Sequence, residues 1–112
     1  MFMKEVLNNL VKKMNDKIAN DQAYAKKLQS VTKSIDIIFD DKDSYYFKVE
    51  NGHITEPQEG KIDADITVTV SSDVFNKILS KEVNAMDAYM KQQIKIKSSL
   101  MDKLLLSDLL KA

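Results

Sequence analysis

The 112 residues contain no cysteine, no tryptophan and no arginine, so all 17 basic residues are lysine. Without thiols, disulfide bridges, thiol nucleophiles and cysteine-held zinc are excluded. Without guanidinium forks, bidentate recognition of guanine, phosphate or carboxylate is excluded as well. The 17 lysines are balanced by 17 acidic residues, with no block of one sign, which leaves no overall footprint for nucleic acid or an anionic membrane. No run approaches the ~18 apolar residues of a membrane span. The start, Met1-Phe2-Met3-Lys4-Glu5-Val6, carries an acid and no unbroken apolar run, unlike a secretory leader. The ending Leu109-Leu110-Lys111-Ala112 is not a peroxisomal tripeptide. These absences predict a cytoplasmic protein with no cofactor, no metal, no nucleic-acid partner and no stable membrane insertion.

What is present fits one domain over residues 1–112, a length that buries roughly two thirds of the unfolded surface. Met3, Val6, Leu7, Leu10, Val11, Met14 and Ile18 recur at three- and four-residue steps, which predicts an amphipathic helix over 3–19. Its polar face mixes both charge signs, which favours docking on the protein's own sheet over a membrane surface. Asn20 is placed to cap a second helix containing Ala23, Tyr24 and Leu28.

Alternation then takes over. Ile35, Ile37 and Phe39 share one face of a strand, with Asp36 on the other; Tyr45, Phe47 and Val49 share a face of the next. Pairing 39 with 45, 37 with 47 and 35 with 49 keeps the apolar residues together and sets Asp36 opposite Lys48. The connection Asp40-Asp41-Lys42-Asp43 is acidic but lacks the glycine and distal glutamate of a calcium loop, so it reads as a turn. Asn51-Gly52 predicts a type I′ turn with Val49 opposite Ile54, and Pro57 makes the third strand an edge. The lone His53, just past that turn with no nucleophile marked beside it, reads as a solvated turn residue.

Ile66-Thr67-Val68-Thr69-Val70 is the clearest strand. Ser71, Ser72 and Asp73 then introduce a helix with Val74, Phe75, Ile78 and Leu79 on its apolar side. Asn84 caps a short helix in which Met86, Tyr89 and Met90 are neighbours at helical spacing. Ile94-Lys95-Ile96-Lys97 is a short strand, and Ser99 caps a final helix. Seven of the eleven residues from Leu100 to Leu110 are leucine or methionine and spread over most of its circumference, so something must cover two sides. The candidates are the first helix, a second subunit in a homodimer or other partner module, or a lipid.

Residues 63–110 resemble the sterol carrier protein 2 family of small lipid-binding domains. The likeness lies in Asp65-Ile66-Thr67-Val68-Thr69-Val70-Ser71 leading to Phe75, then Asn84-Ala85-Met86-Asp87-Ala88-Tyr89-Met90, Ile94-Lys95-Ile96-Lys97 and the leucine-rich end. The resemblance implies an α+β fold: one curved, mostly antiparallel five-stranded sheet covered by helices, in the order α-β-β-β-β-α-β-α, with an apolar tunnel. It further implies non-enzymatic binding of a fatty acid, acyl-CoA, phospholipid or sterol. Phe75, Ile78, Leu79, Met86, Tyr89 and Met90 would wall the tunnel, and Leu100, Met101, Leu104 and Leu105 would close it. Such family members carry glycine about where Lys81, Gln92 and Ser98 stand, and proline at Ala85. An enzyme in the same fold would draw on Tyr89, Tyr46 or Asp36, but no nucleophile–base pair accompanies them.

Overall fold

The computed structural model describes residues 3–40 and 43–110. Met1, Phe2, Asp41, Lys42, Lys111 and Ala112 lie outside it, and with them the middle of the acidic connection and part of both terminal motifs. Helix α1 spans Met3–Asn20 and buries Met3, Leu7, Leu10, Val11 and Met14, five of the seven residues of its predicted stripe. Asn15 pins α1 to the sheet. Its side-chain amide donates to the Ile54 carbonyl at 2.9 Å and accepts from the Ile54 N–H at 2.9 Å, so an edge strand finds its partners in a helix instead of another chain. Helix α2 (Gln22–Leu28) is capped one residue later than the sequence suggests. Asp21, with extended backbone, accepts from the Tyr24 N–H, whereas Asn20 still belongs to α1 and donates to the Asp16 carbonyl at 2.8 Å.

Six strands follow in one sheet: β1 (Lys33–Phe39), β2 (Asp43–Glu50), β3 (His53–Ile54), β4 (Gln58–Glu59), β5 (Ile66–Val70) and β6 (Ile94–Lys97), with helices α3 (Ser72–Leu79) and α4 (Ala85–Met90) before β6 and α5 (Leu100–Leu109) after it. The order across the sheet is β3-β2-β1-β5-β6, with β4 also on β2. Every pairing is antiparallel except β1 with β5, an α+β fold as expected, with one two-residue strand more than the sequence suggests.

The hairpin register is shifted from expectation. Phe39 faces Asp43, Ile37 faces Tyr45 and Ile35 faces Phe47, so Asp36 lies opposite Tyr46, and Lys48 opposite Ser34. A slip of two residues keeps every apolar side chain on its face, so hydrophobic patterning cannot choose between the two registers. The shorter connection adds rungs to the ladder, and Asp40 turns the chain with φ of 54°. At the other end of β2, Val49 faces Ile54 as expected, and Asn51 and Gly52 both have positive φ, as a type I′ turn requires. Pro57 falls between β3 and β4, where the ladder is interrupted, and the Thr55 hydroxyl accepts the Lys48 N–H at 2.8 Å in its place. The start of the parallel pair is clasped by Asp65, whose carboxylate accepts from the Ser34 N–H at 2.9 Å and its hydroxyl at 3.1 Å. The Ser34 amide bond is the main reason the Asp65 carboxyl is held below its ordinary range.

The core lies on the helix side of the sheet, where Ile35, Ile37, Phe39, Phe47, Val49, Ile66, Val68 and Val70 meet α1, α2, Phe75, Ala88 and Leu109. The connection from Gly60 to Asp65 passes over the opposite face. A Cβ on Gly60 would stand 3.6 Å from Tyr46 Cε1, and Lys61 and Ile62 act on the Asp36 carboxylate.

Candidate functional site

Helix α3 begins at Ser71, whose hydroxyl accepts from the Val74 N–H at 3.1 Å. It carries Phe75 into the core, where the ring meets Phe39 edge to face with centroids 5.2 Å apart. Ile78 and Leu79 are half-buried and pack against the same cluster. The helix ends in a Schellman motif: the Glu82 N–H donates to the Lys77 carbonyl and the Lys81 N–H to that of Ile78, with Lys81 at φ 66°.

Helix α4 ends the same way, with Gln93 N–H to the Ala88 carbonyl, Gln92 N–H to that of Tyr89 and Gln92 at φ 62°. Glycine is the usual residue at this position because it has no Cβ to clash. Lysine and glutamine hold the same turns against roughly 1–2 kcal/mol of backbone strain. Gln92→Gly is therefore expected to stabilise the protein by about 0.5–1 kcal/mol, the strain relieved less the entropy that glycine adds to the unfolded chain, which chemical denaturation would read as a higher midpoint at unchanged slope.

The orientation of α4 is set at both ends, by this motif and by Asn84, whose side chain accepts from the Met86 and Asp87 N–H groups. The residue it turns inward is Ala88, fully buried. The small side chain brings the helix against the sheet and leaves its methionines outside: Met86 is 61% exposed and Met90 73%. Tyr89 is half-buried beside them, and its hydroxyl accepts from Lys103 Nζ of α5 at 3.2 Å.

In α5 nearly every position could face inward, and polar contacts decide which does. Asp102 is buried and pairs with Lys33 of β1 at 3.3 Å; Asp108 pairs with Lys27 of α2 at 3.7 Å. The Tyr24 hydroxyl donates to the Leu109 carbonyl at 3.1 Å, and burial, with Asp108 nearby, pushes its pKa up to about 12. Asp102 and Leu109 therefore face inward with Leu105 and Leu106 half-buried against the core. The contacts at this end of α5 come from α2, through Tyr24 and Lys27, an element that was not among the covers considered from sequence.

Leu100 and Met101, each 73% exposed, and Leu104, 54% exposed, stand on the other side. The structure thus divides the ten candidate residues. Phe75, Ile78, Leu79 and Leu105 are in or against the core, Tyr89 is between, and Met86, Met90, Leu100, Met101 and Leu104 are outside. Those five are the exposed large apolar side chains of the described residues, and all stand on α4 and the first half of α5. Two surface hollows lie elsewhere. One of about 390 Å³ is lined by Gln22, Ala25, Lys26, Gln29 and Gly52. The other, about 470 Å³, lies between α1 and the β3–β4 edge, beside Val11, Asn15 and Pro57. Neither touches any of the ten.

The catalytic candidates do not converge. Tyr46 and Asp36 are opposite one another on the outer face of the sheet, away from the helices and Tyr89. Among the described residues no three His, Cys, Asp or Glu side chains are grouped to hold a metal ion, and no helix is long and apolar enough to cross a membrane.

Comparison with known proteins gives a consistent result. The model of the SCP-2 sterol transfer family matches residues 8–111. Apo sterol carrier protein 2 from Yarrowia lipolytica is similar in structure, with a TM-score of 0.65 and 19% identity over 98% of this chain and 91% of that one. Palmitated SCP2L2 from Aedes aegypti gives a TM-score of 0.65 at 13% identity over 92% of each chain. The inverting sec-alkylsulfatase Pisa1 from Pseudomonas sp. contains a similar unit, with a TM-score of 0.63 at 18% identity over 78% of this chain, which spans only 14% of the sulfatase. No curated protein matches the sequence.

Proposed function

The chain belongs to the SCP-2 sterol transfer family, and on that premise we propose that it binds and carries a lipid-like molecule without chemically changing it. The ligand would lie between the helix side of the sheet and helices α3–α5. Phe75, Ile78, Leu79, Met86, Tyr89 and Met90 would form the wall, and Leu100, Met101, Leu104 and Leu105 the closure. One observation carries this reading: among the described residues the exposed large apolar side chains stand on α4 and α5 alone, the two elements that would close over a guest. A small shift of α4 and α5 would exchange water for ligand at these residues.

Methionine suits the task, because its unbranched, polarizable side chain repacks around guests of different shape. Covering a few hundred Å² of apolar ligand surface at ~25 cal/mol per Å² gives on the order of 5–10 kcal/mol before the costs of association, enough for micromolar binding without polar recognition. Selectivity would be low for the same reason. The palmitated form of the mosquito protein favours a fatty acyl chain as the first ligand to try.

The recombinant protein is expected to retain host lipid in native mass spectrometry, or to bind a fluorescent fatty acid at micromolar concentration. Met90→Asp should weaken the probe at least tenfold while leaving the unfolding midpoint in place, since the side chain is exposed in the free protein. Only apo protein, with no probe binding at tens of micromolar, would refute carriage.

A further inference from the structure

The chain has no cysteine, so its sulfur chemistry rests on methionine alone. Burial divides the described methionines into two sets. Met3 and Met14, on α1, are 6% and 1% exposed and belong to the core, whereas Met86, Met90 and Met101 are 61%, 73% and 73% exposed. The second set supplies three of the five large apolar side chains left outside among the described residues; Leu100 and Leu104, both on α5, are the others. Helix α4 is held to the sheet by the buried Ala88 and capped by Asn84 and backbone groups. Asp102 anchors the first half of α5 through Lys33. The placing of both helices therefore does not depend on the three exposed thioethers.

We infer that Met86, Met90 and Met101 form an oxidation switch: hydrogen peroxide converts them to sulfoxides while the fold persists and so turns off lipid binding, and a thiol-dependent sulfoxide reductase turns it on again. The inference rests on the carrier reading and adds a regulation to it. In the forward step a sulfur lone pair attacks the peroxide. The S–O bond forms as the O–O bond breaks, the sulfur is oxidised by two electrons, and the second peroxide oxygen leaves as water with both protons. In the reverse step two thiols supply two electrons, become a disulfide and release the sulfoxide oxygen as water. The sulfoxide is polar, and covering it with an acyl chain leaves its oxygen without the hydrogen bonds that water gave. With all three converted, α4 has no large exposed apolar side chain, and Leu100 and Leu104 alone remain on α5.

The test treats the delipidated protein with hydrogen peroxide at neutral pH and follows three quantities on the same samples. These are the sulfoxide at each methionine by peptide mapping, the unfolding midpoint, and the affinity for a fluorescent fatty acid. Met86, Met90 and Met101 should be converted while Met3 and Met14 remain thioethers, because the buried pair reacts only when the core opens. At that point the unfolding midpoint should stay in place and the probe affinity should fall about tenfold or more. Sulfoxide reductases for both epimers, with a dithiol, should restore the affinity. The inference fails if Met3 and Met14 are oxidised in step with the exposed three, if the triply oxidised protein unfolds, or if reduction does not restore binding. Untreated protein that binds no probe overturns carriage and the switch together; binding that is the same before and after oxidation overturns the switch alone.

Discussion

Phe75→Ala is expected to destabilise the protein by about 3–5 kcal/mol, the usual cost of removing a core aromatic ring. The side chain is 6% exposed and meets Phe39 edge to face with an interplanar angle of 72°. Phe39 in turn stands against Tyr45 at 6.2 Å, so the ring closes a three-aromatic stack that crosses from β2 through β1 to α3. Against a total stability on the order of 5–15 kcal/mol, the loss would lower the thermal midpoint by roughly 15 °C or more in a domain of this size. The variant also separates two roles for the same residue. A ring bordering an open ligand space already lacks partners on one side and would be worth under about 1.5 kcal/mol, with the main loss in ligand binding. Equilibrium denaturation, read beside fatty acid binding, distinguishes the two, and a small stability loss would place Phe75 on the ligand wall.

Asp36→Asn is expected to stabilise the protein at pH 8 by about 1–3 kcal/mol, the range for relieving a buried unsatisfied group, and to have little effect near pH 4. Asp36 is fully buried and neither carboxylate oxygen has a hydrogen-bond partner. Burial is the main influence and pushes its pKa above the ordinary 3.8, while the Ile62 amide and Lys61 pull the other way without completing a hydrogen bond. With the folded value raised, the native state holds its proton to higher pH than the unfolded chain. The penalty is therefore absent below pH 3.8, grows as pH rises from there towards the folded value, and is fully present above it. Asp65, whose carboxyl is lowered, acts in the opposite sense, so the difference between variant and parent across pH isolates Asp36. A difference that stays constant from pH 4 to pH 8 would refute the assignment.

Asp36 also shows where the sequence stops being legible. Strict alternation places it correctly on the face away from Ile35 and Ile37 but says nothing of its burial, which comes from a connection 24 residues and more downstream that passes over this face. Nothing local to β1 reports that crossing. The helices, the caps at Ser71, Asn84 and Ser99, the Asn51-Gly52 turn and the strand faces were legible because each depends on residues a few positions apart. The hairpin register was not, since two-residue slips are invisible to a period of two. The closing helices were legible only as apolar. Apolar periodicity weights Met86 and Met90 above Ala88, yet close approach to the sheet favours the smallest side chain. In α5, with leucines on most sides, Asp102 and Asp108 select the inward face through Lys33 and Lys27, partners some 70 to 80 positions away.

The hydroxyl of Tyr24 and the carbonyl of Leu109 meet across 85 positions of sequence. In an open chain, closing so long a loop costs about 4 kcal/mol in entropy, far more than one hydrogen bond returns. The contact is expected to form after the sheet has shortened the distance, so that α2, among the first elements in the chain, would find its last partner late in folding. A folding nucleus built on β1, β2 and β5 would leave α5 to dock afterwards. Contacts made after the rate-limiting step govern how quickly the native state is lost more than how quickly it is reached. With that order of events, the Tyr24–Leu109 clasp would act on the rate of unfolding more than on the rate of folding.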